Sequence, residues 1–333
     1  MTQEHQPNTV PFSSMVKGGI FGLAVGDALG VPVEFMKRES IARSPINGMK
    51  GYGTHNQPLG TWSDDTSMAL CILESITKTG WNIDDQAMRF VRWYKEAHLT
   101  AHDAVFDIGI ATAQAIDRIT AGYAPLEAGS RDENSNGNGS LMRSLPAAVY
   151  CAVNCDDEEL VKEVANSSSI THAHPRSRLG CVIHAFITAE LLKGKRIDAA
   201  LIGAAKRVES VLESSILFSE MKQELQHYHS ILYDNLELTK PSEIRSSGYV
   251  VDTLEAAVWC LLTSSGFEEC VLKAVNLGDD TDTVGAVTGG LAGIYWGYES
   301  IPSEWIEALA KNEMIRVMAE EFITVLESQE ADG

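Results

Sequence analysis

The chain has 333 residues, 46 acidic against 26 basic side chains, and a formal charge of −20. That length suits one large domain with an ample core. The negative balance opposes attraction to nucleic-acid backbones and anionic membranes, so neither partner is expected and a nucleotide ligand has to be held by local contacts. No apolar run approaches the roughly 20 residues of a membrane span, and the start, MTQEHQPNTVPFSS, lacks the basic-then-apolar order of an export signal, so the chain reads as cytoplasmic.

Apolar residues recur at three- and four-residue intervals nearly throughout, which predicts an all-α fold, one compact multi-helix domain over 13–328 between unstructured ends at 1–12 and 329–333. The first helix is expected over Ser13–Leu29, rich in glycine and alanine and ended by Gly30 and Pro32. A Gly-, Pro- and Asn-rich loop over 45–62 leads to a helix start at SDDTSMAL, with Ser63 or Asp64 as N-cap and Gly80 as the stop. Further helices are expected at 84–97, 107–121, 141–153, 156–165, 176–192 and 198–217, then, after a weakly patterned polar stretch, at 251–263, 267–275, 283–298, 303–310 and 312–328. The six cysteines, Cys71, Cys151, Cys155, Cys181, Cys260 and Cys270, show no C-x-x-C pairing and read as buried, reduced thiols.

Two acidic segments, Ser63-Asp64-Asp65-Thr66 and Asp279-Asp280-Thr281-Asp282-Thr283, each precede a strong helical pattern. Capping and the helix dipole account for one aspartate at such a place. They do not account for several together, because crowded carboxylates repel and ask for a counter-charge. Carboxylates with Ser and Thr hydroxyls form an oxygen-only ligand set suited to Mg²⁺, Mn²⁺ or Ca²⁺ and poor for zinc or copper. Roughly 215 residues separate the two segments, so spacing alone does not say whether they meet.

The pieces GLAVGDALGVPVEF, GTWSDDTSMAL, FDIGIATAQAI, NGNGSLMRSLPAA, THAHPRSRLG, GYVVDTLEAAVW and NLGDDTDTVGAVTGGLAGIYWG, in this order, resemble the ADP-ribosylglycohydrolase family, with most likeness to its dinitrogenase-reductase-activating branch. The resemblance spans roughly residues 15–300. It implies a compact all-α hydrolase with two Mg²⁺ or Mn²⁺ ions in a cleft. Ser63, Asp64 and Asp65 would supply one side of that centre, and Asp280, Asp282 and Thr283 the other, while Asp279 is left out of the set.

The same resemblance places Glu34 near the ribose, as general base or as a group orienting water; the bare sequence equally allows an ordinary exposed glutamate. Asp107 is either an N-cap or a catalytic acid, whereas Asp27 reads as structural, bonded to a nearby backbone turn. Gly137-Asn138-Gly139-Ser140 is a turn on local grounds and, by resemblance, an anion-binding nest for a diphosphate. His174 is either part of a pre-helix turn before Pro175 or a substrate contact, and Tyr249 either stacks on the ligand or belongs to the core. The glycines of GAVTGGLAGIYWG miss the dinucleotide spacing and read as helix packing.

The resulting expectation is metal-dependent cleavage of the glycosidic bond of an ADP-ribosylated protein, with arginine as first choice of acceptor and ADP-ribose as product. Serine-, nucleic-acid- or small-molecule-linked ADP-ribose are the alternatives within the class. A fold-retaining immunity or binding protein that occludes an ADP-ribosylating toxin, and a metal-dependent phosphohydrolase, are the rivals outside it.

Overall fold

The structure, a computed structural model, describes residues 10–330. Among these, twelve helices have nine residues or more: α1 (Phe12–Gly30), α2 (Asp64–Thr79), α3 (Ile83–Glu96), α4 (Ile110–Thr120), α5 (Leu145–Asn154), α6 (Asp157–Ser169), α7 (Pro175–Leu192), α8 (Ile197–Ser214), α9 (Val250–Leu262), α10 (Phe267–Val275), α11 (Thr281–Trp296) and α12 (Asn312–Glu330). No strand forms among the described residues, and extended pairing is limited to isolated bridges at Tyr52–Gln57, Ser130–His172 and Gly137–Tyr249. The fold is all-α, as the periodicity predicts.

Helices α1 and α11 form the centre, and both are buried on nearly every side. Their glycines explain how. Gly18, Gly22 and Gly26 recur every fourth residue on one face of α1 and meet Gly293, Gly289 and Gly285 of α11, so that a β-carbon on any of them would run into the partner's backbone carbonyl. Residues four apart share a helix face, and without side chains on that face the two backbones pack directly against each other. The glycine-rich run is therefore a packing surface, as its spacing suggested.

Several boundaries differ from expectation for local reasons. Helix α4 starts at Ile110 rather than Asp107, which leaves Asp107 in a loop, and α5 starts at Leu145, with Pro146 in its first turn. Helix α1 begins at Phe12, and Val10 and Phe12 pack against the core, so the expected loose end does not extend to residue 12. The remainder of that end, 1–9, and residues 331–333 lie outside the described residues, while α12 continues to Glu330. The polar stretch after α8 folds into short helical turns that bury Met221, Tyr228, Ile231 and Leu236.

The expectation about apolar length needs correction. Phe12–Val33, 22 residues with an 18-residue window of mean hydropathy 1.4, is long and apolar enough for a span by composition, yet 94% of that window is buried inside the protein. Its apolar character is that of a central core helix, and Asp27 sits within it fully buried.

The seam yields a stability prediction. Gly285→Ala is expected to cost about 1–3 kcal/mol in urea denaturation, because the new β-carbon meets the backbone of Gly26 rather than a movable side chain. Gly266→Ala, where nothing lies within 4 Å, is expected to stay within about 1 kcal/mol of wild type. Equal costs at the two positions would reject the seam as the source of the effect.

Candidate functional site

The seam ends at the site. Gly30, the last residue of α1, lies against the backbone of Thr281 and Asp282 with no room for a β-carbon, and Thr281 Oγ1 donates to Gly30 O at 2.8 Å. The next turn, Val31–Val33, carries Pro32 and delivers Glu34 to the start of α11. Phe35 N donates to Asp279 O at 2.6 Å and Asp279 N to Met36 O at 2.8 Å, which clamps the two loops together. Asp279, at φ 59°, turns its carboxylate outward to Lys37, 2.7 Å away, and so stands apart from the other acids.

Asp27 fixes the second acidic segment. Its carboxylate accepts from Ser63 N at 2.9 and 3.0 Å, from Thr66 N at 3.0 Å and from Thr66 Oγ1 at 2.6 Å, which binds the first turn of α2 to α1. Free N–H groups at a helix start favour a carboxylate, so burial lifts Asp27 only to about 6. This is the structural role that the sequence suggested. Ser63 is the N-cap of α2, accepting from Asp65 N at 3.4 Å, and Gly80 ends the helix at φ 72°.

The two acidic segments meet. Asp65 Oδ2 accepts from Ser63 Oγ at 3.1 Å and from Thr283 Oγ1 at 3.5 Å, although Asp65 and Thr283 are 218 positions apart. Asp280 heads α11 without capping it; its Oδ2 instead accepts from Asn138 Nδ2 at 2.9 Å. Carboxylate oxygens of Glu34, Asp107 and Asp282 all lie within 4.8 Å of one another, and Asp64 lines one small cavity with Asp107 and Ser63. Glu34 is thus buried, not an ordinary surface glutamate. Glu34 and Asp107, expected to be catalytic, lie directly beside Asp282, expected to be a metal ligand.

Burial, then mutual repulsion, raises these groups. Desolvation and the charges of Asp107, Asp280 and Asp64 push Glu34 up to about 9. Asp64 is held well above the carboxylate range by burial and by Asp107 and Asp27, Asp65 by burial and by Asp27, Asp64 and Asp280, and Asp282 by burial and by Glu34 and Asp65. Asp107 is raised by burial while His55 opposes the rise. Among the described residues no lysine or arginine ion-pairs with these acids, and only His55 contacts one, at Glu34. Asp65 Oδ1 is buried with no hydrogen-bond partner. An orphaned oxygen among repelling carboxylates and hydroxyls is a donor set that could hold a hard divalent cation.

His55 is the site residue that the sequence reading missed. Its Nε2 bonds Glu34 Oε2, and Thr54 Oγ1 donates to Glu34 O at 2.8 Å. The loop reaches Glu34 because Gly53, at φ 69°, packs on Pro32 O where a β-carbon would not fit. The only local sign was one histidine in a run of turn residues.

The expected substrate residues form a second wall. Asn138 N donates to Gly248 O at 3.0 Å beside the Gly137–Tyr249 bridge, and Asn138 Nδ2 also reaches Thr253 Oγ1 at 2.9 Å, so this loop is tied both to α9 and to Asp280. Asn138 N is thereby used, and Gly139 and Ser140 keep the N–H groups a nest would employ. The Ser140 hydroxyl points inward, accepting from Ser168 Oγ at 2.9 Å. A β-carbon at Gly139 would come 2.9 Å from His172 Cε1, so the imidazole against this loop is His172, which burial pushes down to about 3 and keeps neutral. His174 caps α7 by accepting from Arg176 N at 3.1 Å and meets Glu133 at 3.1 Å. Tyr249 is half-buried with its phenol raised by burial and opposed by Arg176, so His174 and Tyr249 share a polar cluster with Glu133 and Arg176.

Comparison with known proteins agrees with this architecture. The family model for ADP-ribosylglycohydrolase matches residues 8–332. The ADP-ribosylarginine hydrolase Tri1 of Serratia proteamaculans is 33% identical over 312 residues, 92% of this chain and 78% of that protein. The ADP-ribosyl-dinitrogen reductase glycohydrolase of Rhodospirillum rubrum is 30% identical over 302 residues, 88% of this chain and 89% of that protein. A solved structure described as an ADP-ribosylglycohydrolase-related protein complex superposes with a TM-score of 0.78 at 33% identity, covering 95% of this chain and 99% of that one.

The raised carboxylates fix a sign for pH dependence. A carboxyl whose folded value exceeds its unfolded value binds protons more readily when folded, so its contribution is complete below the unfolded value and is lost as pH rises through the folded one. For Glu34 that window runs from 4.5 to about 9. In chelator, the melting temperature is therefore expected to fall across this range, and added Mg²⁺ to restore it most at the alkaline end. A melting temperature in chelator that climbs toward pH 9 would contradict the crowding of these acids.

Proposed function

Because this chain belongs to the ADP-ribosylglycohydrolase family, and is therefore a hydrolase, we propose that it cleaves the N-glycosidic bond of ADP-ribosylarginine on proteins and releases ADP-ribose. The observation that carries the reading is the meeting of both acidic segments around Glu34 and Asp107, with Asp65 left an unpartnered buried oxygen. Relatives at 33% and 30% identity are named for arginine- and dinitrogen-reductase-linked ADP-ribose, and both cover most of this chain.

In this reading Ser63, Asp64, Asp65, Asp280, Asp282 and Thr283 hold two Mg²⁺ or Mn²⁺ ions. When bound, such ions offset the carboxylate charge and orient the ribose hydroxyls. The chain's own groups do the rest. Glycosidic cleavage passes through an oxocarbenium-like state, which neighbouring carboxylates stabilise and which needs a base for the attacking water. Glu34, fixed at Oε2 by His55 and at its carbonyl by Thr54, takes the water proton once ionised. Asp107 lies on the same pocket and orients that water, while the Gly139 and Ser140 N–H groups receive the diphosphate, which backbone donors hold without a basic patch. The bond from the anomeric carbon to the guanidine nitrogen breaks as water adds to that carbon, and the proton taken up by Glu34 passes to the departing guanidine.

Nothing in the geometry favours occlusion of a toxin over hydrolysis, since the acids that a purely binding protein has no need of are all in place. The proposal is tested by offering arginine-linked ADP-ribose with Mg²⁺, with Mn²⁺ and with chelator, and following ADP-ribose by chromatography. Metal-dependent release is expected, and Asp282→Asn is expected to lower it at least a hundredfold while the circular dichroism spectrum is unchanged. Undiminished release in chelator, or wild-type turnover by Asp282→Asn, would refute the arrangement.

A further inference from the structure

Three rings lie next to the acid cluster, with His55 in contact with both phenylalanines. The Phe35 and His55 centroids are 5.9 Å apart, and those of His55 and Phe106 are 5.3 Å apart. Each phenylalanine is the chain neighbour of a clustered acid, Phe35 of Glu34 and Phe106 of Asp107, and the two carboxylates approach within 4.8 Å. The acid cluster is therefore bordered by aromatic side chains.

Phe35 is unusual in its own right. Its ring is exposed, 64% relative to the free residue, and its backbone sits at φ 62°, a region that bulky side chains seldom occupy. Two backbone hydrogen bonds between this turn and Asp279, from Phe35 N and to Met36 O, hold it there. Strain maintained beside a cluster of acids, on a ring presented to water rather than to the core, calls for an explanation by contact with a ligand.

Resting on the arginine-linked reading, we infer that Phe35, with His55 and Phe106 behind it, is the acceptor subsite, taking the guanidinium of the modified arginine against its ring while Glu34 and Asp107 face the scissile bond. A planar cation gains from an aromatic face and from neighbouring carboxylates at once, whereas the neutral O-glycosidic oxygen of a serine linkage lacks the charge for either. Phe35 is thus a specificity-determining residue for the acceptor, and ADP-ribose itself owes it nothing.

The test separates the two halves of the substrate. With ADP-ribosylarginine, Phe35→Ala is expected to raise KM about three- to tenfold with kcat within about twofold, and to leave inhibition by free ADP-ribose unchanged. Phe35→Tyr, which keeps the aromatic face, is expected to match wild type, and Phe35→Leu, which keeps only apolar bulk, to resemble the alanine variant. An unchanged KM, a parallel loss of ADP-ribose inhibition, or recovery by leucine overturns the assignment. A binding arm needs no turnover: butylguanidine, a guanidinium on a plain alkyl chain, is titrated calorimetrically into wild type and both Phe35→Ala and Phe35→Tyr with Mg²⁺ present. Weakening of about three- to tenfold in the alanine variant alone is expected. Equal binding by all three, or none to wild type, overturns the subsite. Failure of wild type to release ADP-ribose from arginine would count against the functional reading, whereas turnover indifferent to Phe35 would count only against this one.

Discussion

Direct backbone contact between α1 and α11 is the constraint on which the site depends. Side chains usually hold packed helices 8–10 Å apart, and glycines at every fourth position remove that spacer along this seam. The residues just beyond α1 inherit the registration. Gly30 lies on Asp282, so Glu34, four residues later, has little freedom to be anywhere but beside the head of α11. A cluster of acids that repel one another needs a scaffold supplying its own cohesion, and the apolar surroundings of the seam provide it.

Buried carboxylates are handled in two ways within a few ångströms. Asp27 is saturated by donors from the first turn of α2, and its charge serves to join two helices. Asp65 has only hydroxyl partners on one oxygen and none on the other. The same residue type is structural where donors converge and receptive where they do not. The difference between the two is a count of hydrogen-bond partners, which no motif records.

What was legible in the sequence is what is local. Caps at Ser63 and Gly80 marked helix α2, the richness in glycine of the first and the late helix marked close packing, and the crowding of aspartates at two helix starts pointed to a cation. Asp27, within the first helix, was read as a structural group bonded to backbone, and its partners are the N–H groups of Ser63 and Thr66. What depended on the return of distant chain was not legible. His55 reaches Glu34 only through Gly53 packing on Pro32, and Asp107 joins the acids from a loop that periodicity assigned to a helix. His172 rather than His174 lies on the Gly137–Ser140 loop because the Ser130–His172 bridge orients that stretch of chain, leaving His174 to cap α7. The apolar length of α1 was underestimated because its glycines and single aspartate disguise a continuous buried surface.

The two halves of the seam come from distant parts of the chain, residues 12–30 and 281–296. During synthesis Asp64 and Asp65 emerge long before Asp280 and Asp282, and Gly30 must wait for Thr281, its partner 251 residues downstream. Docking of α11 thus follows synthesis of most of the chain, and it brings Asp282 to Glu34 and Thr283 to Asp65 in the same step. A ribosome-bound fragment ending before α11 carries Ser63, Asp64, Asp65 and Asp280 but lacks Asp282 and Thr283, so activity doubles as a report that α11 has been made and docked.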